Sequence, residues 1–544
     1  MVPLPIDLPQ PPKRSRALIA LWLILLCAVY LALRLPSLLD LPPFNDELGH
    51  LRWTQQIFQS PSNAFVSFDA VGKQPLYFWI SSPLIPLFRD PLYAMRLSAV
   101  LCGLLSLIGT LLLTRELIGN KYRAAPYLVG LLYALCPFAV FHDRLGIMDP
   151  LATAWGVLAF YLTYRMLYRS KPGSFWLLGL VLGAALITKR YCVYYLIFPP
   201  LLWLAAALDK RQAPDRRATA AVAASLAIGL AMRWGVNFYP NRALDSERFE
   251  TLSKYLLGSA RGLAAGVSDN LRVAADAGLV YLGLPALLLF AAFAVIMLYR
   301  RRADALALVL VVLGAVVIEI TLANKLYPRY LLFTVPFVLI GAAWALFEIC
   351  ERAGRMLKSA RAPFIAALPL LVLALMASIY AYHSWRIVDD PIHAPLAQRD
   401  RWQHIEGWPA GFGLRESMDY IDRQAQHGPV DVFFNYSMHM PFNGFKIYFD
   451  ERPDVRLHLS AWQYALPFSE LVDQRLTLTM PIHFRSDQQL VEQITPADME
   501  RVFFVGNLPL FDLAKFVELS GEPLETAAFA KPGNKSYIVV MRLQ

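Results

Sequence analysis

Charged side chains are scarce in this chain: Asp, Glu, Lys and Arg make up 17% of 544 residues, while 57% are hydrophobic. A soluble globular chain carries about 25% charged residues, so this one lacks the polar surface to face water all round and needs lipid around it. Cysteine is scarce as well. Cys27, Cys102, Cys136, Cys192 and Cys350 all lie in or at the end of apolar segments, and none falls in the long C-terminal stretch. That excludes a disulfide framework and a CxxC metal knuckle. Paired histidines are missing too, and with them the common transition-metal ligand sets. No basic run is interleaved with aromatics, so the net charge of +10 does not mark a nucleic-acid face. No internal repeat is evident. No small-residue cleavage site follows the first apolar run, which reads as a retained anchor rather than a signal peptide.

What the chain has in abundance is long apolar runs. Eleven of them read as spans, with 17–35, 97–113, 151–167, 274–299 and 363–381 the cleanest by length: 17–35, 96–114, 125–142, 150–168, 174–188, 191–208, 218–235, 274–299, 304–323, 330–349 and 363–381. A proline-rich leader, residues 1–16, ends in Lys13-Arg14-Ser15-Arg16 and is expected to stay cytoplasmic. Alternating the runs from that start puts nearly every basic loop on the inner side: Arg115–Arg123, Arg169–Lys171, Lys210–Arg217, Arg300–Arg302 and Glu351–Arg361. It also leaves an outer loop after 235 of about thirty-five residues. Leu76–Phe88 is apolar but short and carries three prolines. Counting it as a span would put the arginine-rich loops outside, so it reads as a juxtamembrane or re-entrant helix.

From residue 385 the composition turns soluble. Runs such as Val430–Tyr436, Lys446–Phe449, Val502–Val505 and Tyr537–Leu543 read as strands, while Leu414–Gln424 and Ala497–Arg501 read as helices. The expected architecture is a polytopic α-helical membrane protein of about eleven spans, with juxtamembrane helices in the first outer loop and an outer C-terminal α/β domain. The boundaries are a leader (1–16), a helical domain (17–384, with the first outer loop at 36–95) and the α/β domain (385–544).

On this topology the polar residues near the membrane gather on the outer side: Asp46-Glu47 with His50 and Arg52, Lys73, His142 to Arg144, Asp149, Lys189-Arg190-Tyr191, and Lys325 with Arg329-Tyr330. Ionisable groups at membrane depth are costly and tend to mark function. Positive groups at an outer boundary run against the charge bias and need a separate reason, which an anionic ligand supplies. Asp149-Pro150 alone reads equally as a helix start.

Asp46-Glu47 after the first span, followed by Lys73-Gln74-Pro75-Leu76, resembles the first outer loop of membrane glycosyltransferases of the C superfamily. Within it, the match is to the protein O-mannosyltransferases and the lipid A aminoarabinose transferases. The stretch from Arg144 to Asp149-Pro150, Thr188-Lys189 and Pro328-Arg329-Tyr330-Leu331 are similar to further elements of that group. Gln74 departs from its usual proline. Gly407-Trp408-Pro409-Ala410-Gly411-Phe412-Gly413 looks like a stretch in uncharacterised bacterial members, as a loop near the site or a plain turn.

The resemblance implies inverting transfer from a polyprenyl-phosphate sugar, undecaprenyl phosphate in a bacterium, to lipid A, another envelope glycolipid or a protein. It implies Asp46, Glu47 and Asp149 as catalytic residues. Lys73, Tyr77, His142, Arg144, Lys189, Arg190, Tyr191, Arg329 and Tyr330 would bind the carrier phosphate and sugar. No cofactor is expected to be required, although one-sided carboxylates leave a divalent ion possible. No nucleic-acid partner is expected. The protein is placed in a bacterial inner membrane with its C-terminal domain periplasmic. Two other readings stay open at this point: a flippase of lipid-linked sugars, and a membrane scaffold. A flippase would show an inverted repeat and charges at the midplane.

Overall fold

The structure, a computed structural model, describes residues 16–67, 73–169, 171–209, 213–238, 260–356, 362–434, 440–459, 501–510, 513–514, 517 and 522–543. Residues 1–15 of the leader, 210–212 and 357–361 of the basic loops, 239–259 of the outer loop and 497–500 of an expected helix lie outside them.

The helical domain begins with α1 (Arg16–Ala32), α2 (Asn45–Gln59) and α3 (Leu76–Ser81), the last continuing as a 3-10 turn, Ser82–Leu87. It proceeds through α4 (Pro91–Thr114), α5 (Ala125–Leu135), α6 (Pro137–Asp143), α7 (Asp149–Tyr168) and α8 (Phe175–Leu186). A 3-10 segment, Arg190–Ile197, leads into α9 (Phe198–Leu208), followed by α10 (Arg216–Phe238). Then come α11 (Ala260–Ala277), α12 (Gly283–Tyr299), α13 (Ala303–Leu322), the 3-10 segment Pro328–Thr334 with α14 (Val335–Met356), and α15 (Ala362–Asp389).

Among the described residues seven helices are long and apolar enough to cross a membrane, or eight with α5 and α6 taken as one span bent by 55°. Pro137 stands at the bend, where its ring cannot continue the preceding helix. All eleven expected spans coincide with helices, but α1 has 17 residues and α8 only 12. The fourth, α7, has 20 residues, carries Asp149 and Arg165, and is buried along nearly its whole length. Residues 260–273, expected in a loop, are helical.

Lipid, not core, explains the outward face of these helices. Leu21, Ile24, Leu284, Leu288, Val295, Leu298, Leu310, Leu313 and Val317 are all exposed, which in water would be an aggregation surface. Inside, small residues let helices close up. A Cβ at Gly179 would sit 2.7 Å from Ile228 Cβ, and one at Gly183 2.4 Å from Met232 Sδ, so α8 and α10 meet along a Gly-xxx-Gly seam.

The C-terminal domain opens with α16 (Gln398–Arg401), a π turn (Trp402–Glu406) and α17 (Leu414–Ala425). It continues through β1 (Val430–Phe434), α18 (Met440–Phe449), β2 (Val455–Leu459), β3 (Val502–Leu508), β4 (Glu525–Ala530) and β5 (Tyr537–Arg542). The sheet order is β2-β1-β3-β5-β4, with β1 parallel to both β2 and β3 and antiparallel pairing among β3, β5 and β4. Lys446–Phe449, expected as a strand, is the last turn of α18. The parallel β1–β2 pair requires a crossover, and α18 is that crossover.

Candidate active site

The entry to α2 sets the site. Phe44 caps the helix in extended conformation, and the Glu47 carboxylate accepts the Phe44 N–H at 3.3 Å. Asp46 and Glu47 therefore occupy the first helical turn, where the helix dipole favours negative charge. Successive residues on a helix point different ways, and the two carboxylates meet different surroundings.

Glu47 is fully buried. Arg96, at the start of α4, grips both its oxygens at 2.8 Å, and the Gly146 N–H donates to it at 2.5 Å. Arg96 also donates to the carbonyls of Leu38 and Leu41 at 2.6 and 2.8 Å. Glu47 thus holds the loop before α2 against α4 and the 144–148 turn.

Asp46 faces the other way and stays about one-third exposed, with 32% of its side chain open. Arg329, at the start of the Pro328 segment, donates to it at 2.7 Å, and the Lys73 ammonium lies 3.8 Å away. Burial by itself would raise the Asp46 pKa, but the charges of Lys73 and Arg329 outweigh it and hold the carboxyl well below the usual carboxylate range. Lys73 also donates to His50 Nε2 at 2.9 Å, while His50 Nδ1–H donates to the Gly146 carbonyl at 3.0 Å. Burial and the Lys73 charge push His50 far below its ordinary value, so the ring is neutral. Burial and Arg329 also lower Lys73 against the pull of Asp46.

A second pair completes the cluster. Asp149 opens α7, and Lys189, between α8 and the Arg190 segment, donates to it at 2.5 Å. The Lys189 ammonium sits over the rings of Tyr191 and Tyr330 at 4.9 and 4.6 Å. Arg329 stacks near Tyr330 and Tyr327, 5.5 and 4.8 Å from their ring centres, which joins the two pairs through one aromatic wall. The Leu76 N–H donates to the Ile187 carbonyl at 3.0 Å and ties the Lys73 loop to the end of α8. Within this cluster of five, three cations face two carboxylates. The arrangement can therefore accept an anion.

Asp46, Lys73, Asp149, Lys189, Tyr191, Arg329 and Tyr330 come together as expected. Arg190 is exposed at the start of its 3-10 segment. Four other expected site residues do not join them. Glu47 is consumed by Arg96. Arg144 donates to the carbonyls of Leu33, Arg34, Pro36 and Ser37 and clamps the end of α1. His142 is buried, with Nδ1–H on the Phe138 carbonyl at 2.9 Å and Nε2 3.4 Å from Asp400. Tyr77 spends its hydroxyl on the Met95 carbonyl at 2.9 Å. In each case the partner is far off in sequence or is backbone, which spacing along the chain does not reveal.

Sequence reasoning missed Gln403, whose Oε1 accepts from Arg329 Nη1 at 2.9 Å. It also missed Glu319 in α13, within electrostatic reach of Lys189 and Asp149. Glu319 could have been found as a lone carboxyl inside an apolar run; Gln403 carries no such signal. Among the described residues no three His, Cys, Asp or Glu side chains gather to hold a metal ion.

Residues 72–239, which include Lys73, Asp149 and Lys189, match the family model of dolichyl-phosphate-mannose-protein mannosyltransferases. No curated protein matches the chain. The fold is similar to that of ArnT from Cupriavidus metallidurans bound to undecaprenyl phosphate, at a TM-score of 0.57 and 14% identity over 98% of this chain and 99% of that one. The apo form of the same protein matches equally, also at 0.57. The Archaeoglobus fulgidus oligosaccharyltransferase in complex with zinc and sulfate matches at 0.50 and 13% identity, over 92% of this chain and 69% of that one. The chain thus has the apolar helices of a multi-pass membrane protein, shares the fold of ArnT over nearly its whole length, and over residues 72–239 resembles the dolichyl-phosphate-mannose-protein mannosyltransferases.

Proposed function

We propose that this protein transfers a sugar, a hexose or pentose, from a polyprenyl-phosphate carrier to an acceptor at the outer face of a bacterial inner membrane. The acceptor is lipid A, another envelope glycolipid or a protein, and the carrier is undecaprenyl phosphate. The observation that carries the reading is the cation-rich cluster of Lys73, Lys189 and Arg329 around the one-third exposed Asp46. The undecaprenyl phosphate bound in the similar ArnT structure is the lipid that such a cluster suits.

The chemistry follows from the charges. The acceptor oxygen attacks the anomeric carbon, its proton passes to the Asp46 carboxylate, and the bond from that carbon to the phosphate oxygen breaks. The electron pair leaves on polyprenyl phosphate, where Lys73, Lys189 and Arg329 stabilise it. Asp149 holds Lys189 in place for this. A carboxylate as acidic as Asp46 is a poor base in the empty site. Donor phosphate changes that: by pairing with Lys73 and Arg329 it offsets the two charges that hold the carboxyl down. Base strength is thus coupled to donor binding. The cations supply the positive charge that leaving phosphate needs, so we expect transfer to survive chelation with EDTA.

The test is transfer in membranes supplied with lipid-linked sugar and a cell-envelope extract. Asp46→Asn should lose about 100-fold or more in rate if Asp46 is the base. Unchanged turnover in Asp46→Asn, with loss confined to Lys73→Ala and Arg329→Ala, would reduce Asp46 to a positioning role.

A further inference from the structure

The glycine-rich stretch Gly407–Gly413 touches the reactive cluster from behind. The Pro409 carbonyl accepts the N–H of Asn45, the residue before Asp46, at 2.9 Å. Gly411 lies so close to the α2 entry that a Cβ there would stand 2.1 Å from the Pro43 carbonyl oxygen. No other residue fits without moving the backbone that leads into Asp46. A few residues earlier, Gln403 holds Arg329, the partner of Asp46. Both members of the Asp46–Arg329 pair are therefore tied to one short segment, 403–411.

That segment is in turn gripped by the sheet. Lys531, just past β4, donates to the Trp408 carbonyl at 2.8 Å and reaches the Gly407 carbonyl at 3.4 Å. Asn507 in β3 donates to the same Trp408 carbonyl at 2.8 Å, and its Oδ1 lies 3.3 Å from Lys531 Nζ. Ser536 donates to the Glu406 carbonyl at 2.9 Å. Lys531 is 1% exposed. A buried ammonium is costly, and an apolar side chain would fill the space more cheaply. What the lysine does that an apolar group cannot is fix two successive carbonyls of the loop. Burial pushes its pKa down to about 7, and its polar partners are the Gly407 and Trp408 carbonyls and Asn507 Oδ1.

We infer that Lys531 and Asn507, acting through the 403–411 segment, form a strut by which the C-terminal domain positions Asp46 and Arg329 for transfer. Lys531 is a positioning residue, remote from the reacting atoms. The inference rests on the transfer reading above for its kinetic consequence, but its structural core does not.

Two readouts on the full-length protein separate these. In Lys531→Met and in the milder Asn507→Ala, hydrogen exchange across 43–48 should speed up by about tenfold, with exchange in α7 unchanged. With lipid-linked sugar as substrate, kcat per folded molecule should fall about tenfold with a smaller change in donor KM. If Lys531→Met does not fold, Asn507→Ala decides. Unaltered exchange across 43–48 in folded variants overturns the strut, as does a loss of activity that disappears once corrected for folded protein. A wild-type protein that transfers no sugar defeats the functional reading instead, and the exchange data still settle the strut.

Discussion

Two neighbouring carboxylates, Asp46 and Glu47, end in opposite roles because one helical step turns them to different sides. Glu47 is sealed against Arg96, and removing one partner of a buried pair leaves an uncompensated charge. Glu47→Gln should therefore cost about 3–5 kcal/mol of stability, read as a lowered midpoint of thermal unfolding in detergent. Asp46→Asn should lower that midpoint by less, because Asp46 is one-third exposed and Arg329 keeps its hydrogen bond to Gln403. Lys73 gives a pH test. Its pKa is lowered from the ordinary 10.5 by burial and by Arg329. A lysine that must be charged to bind phosphate loses function as pH rises through its own pKa. The alkaline limb of kcat/KM should therefore fall below pH 10.5, and Lys73→Arg should move it upward. At this scale the five ionic residues of the cluster were legible because each falls in an outer stretch between or beside apolar runs, all on one side. The roles of Glu47, Arg144, His142 and Tyr77 were not, because their partners are Arg96, backbone carbonyls and Asp400, which no local pattern announces.

Elements were legible where their period was long and failed where it was short. Eleven apolar runs became helices, since a lipid-exposed span has no other way to satisfy its backbone. The four residues Lys446–Phe449 could not be told from a strand by periodicity, and the parallel pairing of β1 and β2 decided the matter. Helix α8, only 12 residues long, depends on its close seam with α10. Gly179→Ala forces a methyl against Ile228 and the Ser225 carbonyl, and should cost about 1–3 kcal/mol, seen as a lower unfolding temperature. The 407–413 stretch was visible as a glycine-rich motif, but its purpose depends on contacts with Pro43 and Asn45 across more than 350 residues of chain.

For the whole molecule, the topology is the premise that puts the site on one side. The ends of α2, α7, α8 and the Pro328 segment converge at the face that meets the C-terminal domain, so the site and that domain share a side. The short α3 and its 3-10 extension, twelve residues together, are well below the length of a span. With a cytoplasmic N-terminus, a cysteine introduced at exposed Asn534 should react with an impermeant maleimide added to spheroplasts. One introduced at Gly173 should react only after permeabilisation. The reverse pattern would place the reaction on the cytoplasmic side. The central claim, that Lys73, Lys189 and Arg329 receive a lipid phosphate while Asp46 takes a proton, is tested most directly by one assay. Purified protein is incubated with undecaprenyl-phosphate sugar and an envelope extract, and released undecaprenyl phosphate is measured. The account predicts release by the wild type and its loss in both Asp46→Asn and Arg329→Ala; release that persists in both variants would contradict it.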